Sequence, residues 1–129
     1  MAAAPTWVPE SVWAKLDTSL RREIIAVHGR PATELPVVVI LGSGPPSLRL
    51  DSSTASGDRI AVVAAAQAAF DREARPVLDK LATVGARDVR PLWLSHAIAA
   101  SLAPSALIAV ADIPQVRRLL LDAPRKVAL

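Results

Sequence analysis

Arg87-Asp-Val-Arg-Pro-Leu-Trp-Leu94, then Ser95-His96, then Ala97-Ile-Ala-Ala-Ser-Leu102 is the stretch that decides the fold. Two apolar runs separated by so short a link join as antiparallel neighbours, because a crossover to a parallel strand needs a dozen or more residues. The reading predicts a hairpin of Arg87–Leu94 and Ala97–Leu102 that turns at Ser95-His96. Pro104 follows at once. Proline suits the first turn of a helix, where its missing amide has no partner to lose. That helix is expected to run to Asp112, and Val116–Leu121 reads as one more strand.

Upstream, Leu35-Pro-Val-Val-Val-Ile-Leu41 is a strand by its β-branched residues. Gly42 to Gly57 is rich in Gly, Pro and Ser and reads as a surface loop. Asp58 is expected to cap a long helix with Ile60, Val63, Ala64, Gln67, Phe70, Ala74, Val77, Leu78 and Leu81 on one face and Gly85 as its stop. Pro76 should kink or divide it, since it removes a donor and crowds the preceding turn. From Pro9, the spacing of Val12, Leu16, Leu20, Ile24 and Val27 predicts helix up to His28 and Gly29. Asp17 is placed to cap a second helix there, so one helix or two stays open.

From residue 35 the order is β-α-β-β-α-β, which implies an α+β, ferredoxin-like plait: an antiparallel sheet with two helices on one face. The expected strand order is last-first-third-second. Three segments result: an N-terminal helical extension over 1–34, the α+β domain over 35–122, and a tail over 123–129.

The strands do not alternate apolar with polar as a half-solvated sheet should. Val37, Val39 and Leu41 oppose Val38 and Ile40; Leu92 and Leu94 oppose Val89, Pro91 and Trp93; Val116 and Leu120 oppose Leu119 and Leu121. One set meets the two helices. The other is covered by the N-terminal helix or by a partner, since an apolar patch of several hundred Å² is rarely left bare.

Composition narrows the function. Of 129 residues 52% are hydrophobic, yet no uninterrupted apolar run approaches the ~20 residues of a membrane span. The net charge of +3 is spread out, and four aromatic residues provide almost no stacking platform, so neither nucleic acid nor membrane is expected as a partner. The N-terminus has no cationic start or apolar core of a secretory signal, which reads as cytoplasmic for the chain as written and secreted if it is cut from a precursor. With no cysteine there is no disulfide framework.

Catalytic lures fail on chemistry. Gly42-Ser-Gly44 after a strand invites a nucleotide fingerprint, but Pro45-Pro46 stands where phosphate-binding amides are needed. His28 and His96 are the only histidines, and no metal-ligand spacing or Gly-x-Ser-x-Gly elbow accompanies them. No catalytic residue, metal or cofactor is expected.

Leu92-Trp-Leu-Ser-His-Ala-Ile-Ala-Ala100, Leu107–Ala111, Ile113-Pro-Gln-Val116, Arg117–Leu121 and Asp122 come in an order that resembles the propeptide of subtilisin-like serine proteases. The resemblance covers about residues 35–129. His96 stands where the family typically has Asn, and the helix from Asp58 is longer than a minimal propeptide needs. The resemblance implies an inhibitor and folding assistant that docks on a subtilisin-like protease, in trans or, if excised from a precursor, in cis. Val89, Trp93 and His96 are expected at the docking sheet face. Arg125, Lys126, Val127, Ala128 and Leu129 are expected in the protease cleft as an added strand, with Leu129 in the primary pocket. The competing class is a scaffolding module that self-associates into a homo-oligomer through the apolar face.

Overall fold

The computed structural model describes residues 4–28, 33–42 and 56–122. The fold is mixed: helices and one four-stranded antiparallel sheet, in keeping with the α+β class. The strands are β1 (Leu35–Leu41), β2 (Arg87–Leu92), β3 (Ala97–Leu102) and β4 (Val116–Leu121), in the order β2-β3-β1-β4. The helices are α1 (Glu10–Trp13), α2 (Thr18–Ala26), α3 (Ser56–Thr83) and α4 (Pro104–Ala111).

Asp17 settles the N-terminal question in favour of two helices. Its carboxylate accepts the Leu20 amide at 2.8 Å and starts α2. Arg21 then donates from Nε and Nη2 to the Trp13 carbonyl at the end of α1, with its guanidinium over the Trp13 ring. Helix α3 begins at Ser56, so Asp58, expected just before the helix, lies inside its first turn, and Pro76 does not divide it. Gly85 at φ +76° lets the Ala86 amide turn back to the Leu81 carbonyl at 2.9 Å, a closure that a side chain would strain.

One core holds the molecule together. Leu35, Val37, Val39 and Leu41 point into it from β1, Ile98, Ala100 and Leu102 from β3, and Val116 and Leu119 from β4. Phe70, Ala74, Val77 and Leu81 enter from α3 and Leu107, Val110 and Ala111 from α4. The expected apolar face of α3 is therefore buried only from Phe70 onward: Ile60 is 71% exposed and Val63 is half-buried. Val116 shares the core with Leu119, against simple alternation, because the β1–β4 register shifts between Ile40 and Leu41.

The N-terminal helices belong to the same core. Val12, Trp13, Leu16, Leu20, Ile24 and Val27 are buried in it, together with Leu119. Lys15 fastens this layer, its ammonium donating to the carbonyls of Ala111 (2.7 Å) and Ile113 (3.2 Å) at the end of α4, where a cation also meets the negative end of the helix dipole. Among the described residues no helix is long and apolar enough to cross a membrane.

Candidate docking face

Side chains opposite each other in an antiparallel ladder share a face, so the register assigns the side of the sheet away from the core. One row across it runs Leu92 (β2), Ala97 (β3), Ile40 (β1), Arg118 (β4). The next runs Arg90, Ala99, Val38, Leu120. A third runs Arg87, Ser101 and Pro36, where the Asp122 amide donates to the Pro36 carbonyl at 2.8 Å.

None of Val38, Ile40, Leu92 or Leu120 packs against the core. Val38, Ile40 and Leu120 are half-buried and Leu92 is exposed. Ala97 and Ala99, small and in an inner strand, are sunk between the larger side chains of β1 and β2. The result is an apolar centre on this side of the sheet. The N-terminal helices, one of the two expected covers, contribute to the opposite side, where Val12, Leu16, Leu20 and Ile24 join the core.

Both sheet edges are closed to a further strand. At β4, Leu16 forms a parallel bridge with Leu119: the Asp17 amide donates to the Leu119 carbonyl (3.1 Å) and the Leu119 amide to the Lys15 carbonyl (2.8 Å). At β2, Pro91 has no amide to offer, and the ladder is broken between Arg87 and Arg90, with Asp88 at φ +53°. Proline and bulges at an edge hinder pairing with another chain. A partner is left the face.

Of the residues expected at that face, Trp93 and His96 lie on the core side, and Val89 lies at the β2 bulge. β2 ends at Leu92, and Trp93–Ser95 form a 3-10 turn in place of the tight two-residue link. Trp93 is half-buried and packs against the core, so it belongs to the helix side. Val89 is exposed, at the bulge, lining an open hollow with Pro36, Asp88, Arg90, Ala100, Ser101 and Asp122. His96 is 5% exposed and corrects the expectation of a surface turn. Its left-handed backbone (φ +52°) folds the ring inward, Nε2 to 2.7 Å from Glu73 Oε2 of α3 and edge-on to Phe70. The other ring nitrogen, Nδ1, is buried without a hydrogen-bond partner. The other histidine, His28, stacks on Trp7 with ring centroids 4.2 Å apart.

Arg125, Lys126, Val127, Ala128 and Leu129 lie outside the described residues, as do Gly29 and most of the loop after Gly42. Among the described residues no group of three or more His, Cys, Asp or Glu side chains is placed to hold a metal. The chain matches no known family model, and neither a curated protein nor a solved structure matches it.

Proposed function

We propose that this chain is a propeptide-like inhibitor and folding assistant of a subtilisin-like protease, docking by the open sheet face and blocking the cleft with its C-terminal residues. The observation that carries this reading is the apolar outer face of a sheet whose two edges are both closed. Such a surface accepts another protein's surface and refuses an added strand. The element order β-α-β-β-α-β and the sequence of neighbours β4-β1-β3-β2 support a ferredoxin-like plait of the kind the resemblance implies. β4 ends at Leu121, at the margin of that face.

The test is inhibition of a panel of subtilisin-like proteases by the whole chain and by a chain ending at Asp122. The whole chain should inhibit and the shortened one should lose most of its potency. Equal potency would falsify the plug. The same apolar face favours a second reading, a self-associating scaffold. For that reading, sedimentation should give a dimer that is insensitive to loss of the last residues.

A further inference from the structure

The charges on the open face specify what can cover it. Arg118 flanks the first apolar row at the β4 edge, and Arg90 flanks the second at the β2 edge. Both are exposed, and among the described residues neither takes part in an ion pair. Arg87, in the third row, is already held by Glu34 at 3.2 Å. Asp88 and Asp122, at the bulge and after β4, line one hollow with Arg90, but among the described residues neither forms an ion pair with it.

Strand spacing of about 4.8 Å and a rise of about 3.3 Å per residue put the Arg90 and Arg118 backbones about 16 Å apart on a diagonal. Val38 and Ile40 lie between them, and Leu120 lies beside Arg118 on β4. A partner that covers these three side chains must also dehydrate at least part of both guanidinium groups. A charge taken from water without a counter-charge costs more than the apolar contact returns.

Resting on the docking reading above, we propose that the partner surface is apolar at its centre and carries a carboxylate at each of two opposite flanks, matched to Arg90 and Arg118. A second copy of this chain does not meet that requirement in either of two symmetric face-to-face arrangements. With the strands of two copies aligned face to face, a two-fold axis along the strands seats Arg118 on the other copy's Leu92 and Arg90 on its Leu120. An axis across the strands between the two rows seats Arg118 on Leu120 and Arg90 on Leu92. Either way each arginine is buried on a leucine.

The experiment is inhibition of the protease panel by the wild type and by Arg90→Glu/Arg118→Glu, at about 50 mM and about 300 mM NaCl, salt that screens exposed charges. Thermal midpoints serve as the control for folding, since both side chains are exposed and, among the described residues, outside any ion pair. The wild type should lose potency as salt rises. The double variant should be at least about tenfold weaker at low salt and should regain potency as salt rises, because charge reversal turns the attraction into a repulsion that salt screens. If a protease is inhibited equally by both chains, or better by the variant, the carboxylate-flanked partner is wrong and the docking reading stands. If no protease in the panel is inhibited by the wild type, the docking reading falls and this proposal with it. If the variant alone is unfolded, Arg90→Gln/Arg118→Gln replaces it, with the same direction expected and a smaller change.

Discussion

Leu16 pairs with Leu119 across the β4 edge, although more than a hundred residues of chain separate them. The bridge makes the N-terminal segment a structural part of the sheet, continuous with the layer that buries Leu20 and Ile24 completely. It also removes the edge at which strands of different copies could join.

That relationship predicts a large cost for loosening the N-terminal layer. Leu20→Ala should destabilise the protein by about 2–5 kcal/mol, the range for emptying a fully buried leucine site. A chain starting at Thr33 should fail to unfold cooperatively in urea. A shortened chain with an unchanged midpoint would show the layer to be dispensable.

Lys15 makes a narrower prediction. Lys15→Met keeps the aliphatic stem and removes two donated hydrogen bonds at the end of α4. The expected loss is about 1.5–3 kcal/mol, the range for a bond that involves a charged group. Lys15→Arg should recover part of it. Denaturant midpoints of the three proteins give the order directly.

His96 carries two separable contributions. Its φ of +52° is tolerated by asparagine far better than by alanine, and its ring reaches Glu73. Stability should therefore fall in the order wild type, His96→Asn, His96→Ala, with the alanine variant about 1–2 kcal/mol below asparagine for the backbone alone. Identical losses would mean that the turn relaxes out of the left-handed region.

Val38 and Val39 test the two faces with one substitution. Threonine is nearly isosteric and as suited to a strand as valine, so propensity cancels. Val39→Thr places a hydroxyl in the core, at a site with no exposure, and should cost about 1–3 kcal/mol. Val38→Thr, on the open face, should cost under about 0.5 kcal/mol while weakening any partner that docks there.

Trp93 was expected at the docking face and instead packs on the core. Trp93→Ala should lower stability by about 2–4 kcal/mol, somewhat below the value for a fully buried aromatic. It should leave the association rate with a partner unchanged. A stable variant with lost binding would return Trp93 to the interface.

Much of the fold was legible from residue order. The limits of β1 and β4 follow from Leu35–Leu41 and Val116–Leu121 as apolar runs, and α4 follows from Pro104 and the spacing of Leu107 and Ala111. These signals act over a few residues through backbone preference and periodicity, so they are readable without knowing what lies across the sheet. The presence of a two-sided apolar sheet was legible for the same reason.

Which side faces the helices was not legible. Both sets of side chains are apolar, so alternation is silent, and the assignment depends on pairing between distant strands. The bulge at Asp88 and Val89 and the 3-10 turn at Trp93–Ser95 shift the phase of β2. They send Trp93 and His96 toward α3 and leave Arg90 and Leu92 outside. Glu73 meets His96, Lys15 meets Ala111, and Leu16 meets Leu119 only after the chain has closed over long loops. Such contacts are chosen by competition among all partners in three dimensions, and neighbouring residues in the sequence do not encode them.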